Sequence, residues 1–307
     1  MDNPTYTESE ARRQMGDIAR RSNSRCRALQ VVNNQGLKNI VPGFYTSNNV
    51  LCNSCQCIMQ RQDTCWLLAV VNLCIRVPLL FRSLHKDLQI MMQDMYICDG
   101  EGVNILGKGY ESTPQKPVLP SEMLSDDFFR GLQVAGENSG ANTLSFFYSV
   151  LKFSGFIREE GLFFLLSRGE TLKDDQCVLI DCKEKELPGE QSVQQFLKVV
   201  LKQCYTHTMQ AGLLSMENAT TGSRHAVSFT VCTNDSGGKN LNVCDWGNCN
   251  TLMTMVQSTA ITADIESDYD FVYCDFPDCC TTWLCPPEKK LKFCKILMLK
   301  IRNLRTH

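Results

Sequence analysis

The stretch of residues 63–78, DTCWLLAVVNLCIRVP, decides the fold of this chain. After the polar Asp63 and Thr64, the stretch is almost entirely apolar and rich in Leu, Val and Ala. Such a run is too long for one ordinary strand and is typical of a buried helix. Either polar residue can supply the N-cap oxygen, and Pro78 disrupts a helix that reaches it. We therefore predict a helix that begins at or just before Cys65 and stops near Pro78.

The composition indicates a globular protein. The 307 residues are 43% hydrophobic, which is enough for a packed core, and the formal net charge is −2. This charge provides no general attraction to nucleic acid or to an anionic membrane, so we expect neither partner. The longest apolar stretch, residues 65–81, is interrupted by Asn72, Arg76 and Pro78 and is too short to cross a bilayer. We expect no membrane insertion.

The N-terminus is polar and charged and has no apolar segment of a secretory signal peptide. We therefore expect an intracellular protein, either cytoplasmic or nuclear. Eighteen cysteines would indicate a disulfide framework in a secreted chain, but inside the cell we expect reduced thiols. We also expect no cofactor.

Patterning along the chain predicts an arm followed by one domain. Residues 1–40 are polar and rich in Arg, which indicates a solvated extension or a basic docking arm. We assign residues 41–307 to the domain. Helical spacing then predicts further helices at residues 82–96, 122–132, 141–153 and 191–209.

Short apolar segments separated by Gly, Asp and Asn predict strands of one sheet. They are GLFFLLS (161–167), CVLIDC (177–182), HAVSFTVC (225–232) and LNVCDW (241–246). The C-terminal run, residues 289–305, fits either a final strand or an amphipathic helix. Helices followed mainly by strands indicate an α+β fold, with a helical lobe at about residues 60–155 and an antiparallel sheet lobe at about residues 156–300.

Cys65 is the candidate nucleophile because the backbone N–H groups and dipole at a helix N-terminus favour a thiolate there. A thiolate also needs a base to hold and deliver its proton. Of the four histidines, His225 is the best candidate, since it opens an apolar strand after a small, turn-forming segment. The next predicted strand would bring Asp245 beside His225 as the group that orients the imidazole. Asn248 and Asp235 remain alternatives for this third role.

An oxyanion formed by attack of the thiolate needs hydrogen-bond donors. The backbone N–H of Cys65 and an upstream side-chain amide would serve, with Gln60 as first choice and Gln62 as second.

These residues resemble the papain-like cysteine peptidases and, within them, the ubiquitin-specific proteases. The resemblance lies in Thr64-Cys65-Trp66-Leu67 with Asn72 beyond, in the strand that begins His225-Ala-Val-Ser-Phe, and in Asp245-Trp246-Gly247. Asp63 and Leu68 depart from the Asn residues of the family box, and Gln60 stands where its upstream amide would be.

The resemblance implies a papain-like two-lobe fold and a Cys-His-Asp triad that hydrolyses an amide or isopeptide bond. It also implies ubiquitin or ubiquitin-like conjugates as partners, with Trp66 and Trp246 as walls of a narrow cleft. Divergent peptidases of this kind are found in large DNA viruses, which makes a viral source an expectation.

The remaining cysteines suggest an alternative hypothesis for the function. A non-catalytic protein could bind ubiquitin or be an interaction module stabilised by zinc. Candidate zinc ligands fall in an early group and a late group. They are Cys52, Cys55 and Cys57, and Cys274, Cys279, Cys280 and Cys285, with Cys244 and Cys249 as additional members. Because only one CxxC pair is present, the signal for zinc is weak. We predict no metal ligands, and a structural zinc is the weaker interpretation.

Overall fold

The computed structural model describes residues 65–89, 92, 142–159, 162–166, 176–234, 236–245, 248–258, 269–274 and 283–305. These residues form a mixed α/β structure with an antiparallel sheet. The helices are α1 (Cys65–Arg76), α2 (Pro78–Ser83), α3 (Thr143–Phe153) and α4 (Val193–Thr206). The strands are β1 (Ile157–Glu159), β2 (Leu162–Leu166), β3 (Gln176–Leu187), β4 (Gln191–Ser192), β5 (Ala211–Asn218), β6 (Arg224–Thr233), β7 (Lys239–Asp245), β8 (Asn248–Gln257), β9 (Tyr269–Tyr273) and β10 (Lys290–Arg305).

Helix α1 occupies the predicted place and is almost completely buried. Cys65 at its first position is half-buried, and every later residue of the helix is buried. Pro78 starts α2, where its missing N–H costs nothing because the first N–H groups of a helix lack intrahelical partners. The apolar run is therefore a core helix, as predicted.

The helix predicted at residues 82–96 differs from the structure. Helix α2 ends at Ser83, and helical structure resumes at Lys86. At the break, the backbone N–H of His85 donates to Ser154 Oγ at 3.0 Å. This bond to a distant residue takes the place of the bond that a continuous helix would make there.

Helices α3 and α4 agree with the predictions, and both begin at side-chain caps. Asn142 Oδ1 accepts from the second and third residues of α3 at 3.1 and 3.2 Å. Ser192 and Gln195 form a capping box at the start of α4. The helix predicted at residues 122–132 lies outside the described residues, as do residues 1–64.

The ten described strands form one sheet in the order β1-β2-β3-β10-β5-β6-β7-β8-β9, with β4 paired to β10. All pairings are antiparallel. The C-terminal run is the strand β10, which lies between β3 and β5. The four predicted strand segments correspond to β2, β3, β6 and β7.

Alternate residues of the central strands contribute to two hydrophobic clusters, because side chains alternate between the faces of a sheet. On β5, Leu213 packs with α1 to α3, while Leu214 packs with α4. Helix α1 contacts mainly β6, whose residues on that face, Ala226, Ser228 and Thr230, are small and buried. The small side chains allow α1 to approach the strand closely. The sheet thus has helices on both faces.

None of the helices among the described residues is both long enough and apolar enough to cross a membrane.

A substitution at Gly212 on β5 tests how closely β5 packs against its neighbouring strands. A Cβ at this position would lie 1.9 Å from the backbone oxygen of Leu297 and 2.6 Å from Phe229 Cζ. Because a backbone atom of the adjacent strand cannot rotate away, we expect Gly212→Ala to lower the free energy of unfolding by about 3 kcal/mol or more. Urea denaturation measures this change.

Gly189→Ala is the matched control. Gly189 has a φ of +81°, and no atom lies within 4 Å of an added Cβ. We expect a loss of about 1 kcal/mol from the left-handed backbone alone. Equal losses for the two variants would contradict the packing described for β5.

Candidate active site

Cys65 lies at the first residue of α1, so its thiol is placed at the positive end of the helix dipole. The following residues anchor the helix: Trp66 is buried and packs edge-on against Phe146, with ring centroids 5.0 Å apart. Cys65 itself is half-buried. The sequence thus produces a rigid helix whose first side chain retains access to solvent.

His225 and Asp245 come together through the pairing of β6 with β7. Ser228 pairs with Cys244, so Asp245 lies one residue beyond that pair and on the same face of the sheet as His225. His225 Nε2 and Asp245 Oδ1 are 2.8 Å apart. Their side chains are 4% and 2% exposed, respectively. Asp245 therefore holds the imidazole from one side.

Both oxygens of the Asp245 carboxylate have partners. His225 binds Oδ1, and the backbone N–H of Trp283 donates to Oδ2 at 2.7 Å. A buried carboxylate is costly unless it is hydrogen-bonded and paired with a cation, and Asp245 has both kinds of partner. Its position is therefore fixed from two directions.

The His225 imidazole also lies in hydrogen-bonding range of the Cys65 side chain. Since Nε2 faces Asp245, Nδ1 is the nitrogen that remains for the thiol. Burial alone would lower the pKa of His225, but hydrogen bonds and charge interactions with Asp245 and Cys65 outweigh it and raise the pKa to about 9. At neutral pH the ring is an imidazolium, which can stabilise a thiolate beside it and donate a proton.

Trp283 is a component of the site that the sequence did not predict. Its ring lies 5.2 Å from the imidazole of His225, centroid to centroid, at an interplanar angle of 30°. Lys289 Nζ lies 3.7 Å from the centroid of the same indole and also donates to the Trp283 backbone oxygen. Trp283 thus covers the imidazole and binds the carboxylate, and Lys289 holds Trp283. No local sequence pattern links Trp283 to Asp245, because the two residues are 38 positions apart in the chain.

Other predicted residues take different places or lie outside the described part of the chain. Trp66 is buried in the core and does not line an open cleft. Asn72 is buried within α1. The side chain of Asn248 is not described, although its backbone pairs with that of Asp245. Outside the described residues lie Gln60, Gln62, Asp63, Thr64, Asp235, Trp246 and Gly247.

The cysteines proposed as zinc ligands are only partly described. Cys244 and Cys249 pair across β7 and β8, with their sulfur atoms 3.1 Å apart. Among the described residues, no three His, Cys, Asp or Glu side chains form a group suited to a metal ion. Cys52, Cys55, Cys57, Cys279 and Cys280 lie outside those residues.

Two cysteines differ from the expectation of reduced thiols. Cys232 and Cys285 are each disulfide-bonded in the structure. In a chain with 18 cysteines, folding can bring sulfur atoms from distant positions together, which a prediction from cellular location does not take into account.

No protein family, curated protein or solved structure matches this chain. A thiol at a helix N-terminus, a charged imidazole beside it and a buried carboxylate behind the imidazole are suited to nucleophilic attack on a carbonyl carbon followed by protonation of a leaving group.

The protonation of His225 can be measured by following its ring resonances in NMR spectra as the pH changes. We expect the wild-type ring to titrate near pH 9. In Asp245→Asn the pKa should fall markedly, because burial still disfavours the charged ring while the carboxylate charge is gone. Asp270→Asn, which removes an exposed carboxylate on β9, is the control and should leave the titration unchanged.

The same pKa predicts a pH dependence of stability. Because the pKa of His225 in the folded protein lies above its ordinary value of 6.5, the charged ring contributes fully to stability below pH 6.5. This contribution is lost as the pH rises through 9, and we expect it to amount to about 3 kcal/mol. Urea denaturation at several pH values measures the loss. If Asp245→Asn showed the same decrease over this range, the interaction between His225 and Asp245 would not be its cause.

Proposed function

We propose that this chain is a cysteine peptidase of papain-like, two-lobed architecture that removes ubiquitin or a ubiquitin-like modifier from conjugates. The observation that carries the proposal is the convergence of Cys65, His225 and Asp245. They come from a helix start and from two neighbouring strands, and their residue types have complementary chemical roles. A chance cluster would not be expected to place each residue type in the position that its role requires.

In the proposed mechanism, the Cys65 thiolate adds to the carbonyl carbon of an amide or isopeptide bond. The carbon–nitrogen bond then breaks as His225 transfers its proton to the leaving amine, which leaves a thioester on Cys65. Water attacks the thioester while the neutral imidazole accepts a proton from it. Loss of the acyl group regenerates the thiolate and the imidazolium. Asp245 keeps the imidazole oriented through both steps and stabilises its charged form.

The oxyanion that forms on the carbonyl oxygen requires donors close to Cys65. The backbone N–H of Cys65 belongs to the first turn of α1, where the N–H groups have no intrahelical partners. We propose that this N–H and the Gln60 side chain bind the oxyanion, with Gln62 as the second candidate for the amide.

The substrate class follows from the resemblance of two short sequence boxes to those of ubiquitin-specific proteases. Ubiquitin and related modifiers end in a flexible, glycine-rich tail, which a narrow cleft beside Cys65 would accept. The half-exposed position of Cys65 is compatible with such access.

The proposal is tested with purified protein and a ubiquitin probe that carries a thiol-reactive group at its C-terminus. We expect wild type to form a covalent adduct, Cys65→Ala to form none, and His225→Ala to react at least about a hundredfold more slowly, since general acid–base catalysis contributes about that factor or more. Intact-protein mass spectrometry measures the adduct. Cys274→Ala removes a half-buried thiol on the far side of β8 and should react like wild type.

Failure of this proposal would have a distinct signature. Wild type would form no adduct with the probe, while a small alkylating reagent would modify Cys65 no faster than Cys274. That result would favour a protein that binds its partner without catalysis.

A further inference from the structure

Strand β10 contains a bulge next to the candidate active site. Lys292 pairs with Glu217 and Lys295 pairs with Ser215, so two residues of β10 lie opposite the single residue Met216 of β5. The first of the two is Phe293, which has a φ of +51°. A left-handed residue at the first position of a bulge is ordinarily glycine, because any other side chain strains the backbone there.

Phe293 is unfavourable in two respects. The left-handed backbone costs a non-glycine residue about 1–2 kcal/mol. In addition, the residue is 69% exposed, the largest exposure among the large hydrophobic residues that the structure describes. Its described ring contact is with Lys292, whose Nζ lies 5.8 Å from the ring centroid. Since the fold gains little from this aromatic ring, strain and exposure together point to a role in binding.

The residues beside Phe293 form a charged row across three strands. Glu217 on β5 pairs with Lys292 on one side and with Arg224 of β6 on the other. Its carboxylate accepts from Lys292 Nζ at 3.1 Å and from Arg224 Nε at 3.0 Å. The Arg224 side chain nevertheless remains 83% exposed. Two cations share one carboxylate, so the row carries a net charge of +1 and favours an anionic group.

The row lies next to His225 in the sheet. Arg224 immediately precedes His225. Glu217 lies four residues after Leu213 on β5, so both side chains point to the same face of the sheet, which is the face that carries α1. Phe293 is two strand spacings from β6, or about 10 Å. An extended peptide advances about 3.4 Å per residue, so this distance corresponds to roughly three residues.

We propose that Phe293, Lys292, Arg224 and Glu217, which we call the Phe293 patch, form a subsite for the substrate polypeptide of the peptidase proposed above. The patch accepts an apolar side chain about three residues from the scissile bond, together with a neighbouring carboxylate. Phe293 supplies the apolar contact, the two cations bind the carboxylate, and Glu217 holds the cations in place. The inference rests on the proposed function, because it assigns the occupant as substrate.

The test uses binding, so that it does not depend on turnover. A random peptide library is selected on full-length Cys65→Ala, and affinities of the enriched peptides are measured by fluorescence anisotropy. We expect enriched peptides to combine an apolar residue with an adjacent Asp or Glu. Phe293→Gly should weaken their binding at least about tenfold, as expected for loss of an aromatic anchor. Arg224→Gln with Lys292→Gln should remove the preference for the acidic residue.

Two controls separate binding from folding. Phe293→Gly relieves the left-handed strain, so its thermal midpoint should not fall while its affinity does. Val272→Ala shortens another exposed apolar side chain, 52% exposed on β9, and should leave binding unchanged. If no peptides are enriched, or if Phe293→Gly binds them like the parent protein, the subsite does not exist. Sedimentation that shows a dimer lost in Phe293→Gly, without loss of peptide binding, would assign the patch to self-association and overturn the proposal.

The same experiments distinguish this inference from the proposed function. Peptide binding that depends on the Phe293 patch, in a protein that forms no adduct with the ubiquitin probe, supports the patch as a peptide-binding surface and rejects the proposed function. If wild type and Phe293→Gly form the adduct equally and bind peptides equally, the result supports the proposed peptidase and contradicts the subsite.

Discussion

The arrangement of the site depends on the buried contact between His225 and Asp245. Transferring either charged group into the interior alone would cost several kcal/mol, and breaking a buried pair by removing one partner typically costs 3–5 kcal/mol. The pair is compatible with burial because the second carboxylate oxygen is bound by the backbone N–H of Trp283. This requirement constrains the sheet, since a slip of one residue between β6 and β7 would move Asp245 to the opposite face. The pairing register of β6 with β7 therefore determines whether His225 and Asp245 can meet.

Strand β6 links the two layers of helices. Residues on one face of β6, Ala226 and Ser228 among them, are small and allow α1 to lie close to the strand. Residues on the other face, such as Val227 and Phe229, pack with α4. Because α1 begins at Cys65 and β6 begins one residue before His225, packing of the helix on the strand also sets the position of the thiol relative to the imidazole. The core packing and the geometry of the candidate site are coupled through this strand.

Local sequence patterns predicted much of this structure. Helix α1 followed from an apolar run with a polar start and a proline at its end, and β6 and β7 followed from apolar, partly β-branched segments on either side of a turn. The contact between His225 and Asp245 was predictable because a short hairpin leaves little freedom in how its strands pair. Trp283 was not predictable, since it reaches Asp245 through a long connection. The bulge at Phe293 was also not predictable, because it depends on how two distant strands align, and the sequence left the final run open between strand and helix.

The start of β6 is held by two ion pairs on opposite faces of the sheet. Arg224 binds Glu217 of β5 and His225 binds Asp245 of β7, so consecutive residues are attached to the strands on either side. The two pairs differ in energy because the exposed Arg224 side chain is screened by water, whereas the contact of His225 is buried. The exposed pair therefore adds little to stability and leaves the guanidinium available to a ligand. Because both pairs act on the same short segment, a ligand that draws Arg224 away from Glu217 would act one residue from the His225 imidazole, so binding at Arg224 is mechanically connected to the contact between His225 and Asp245.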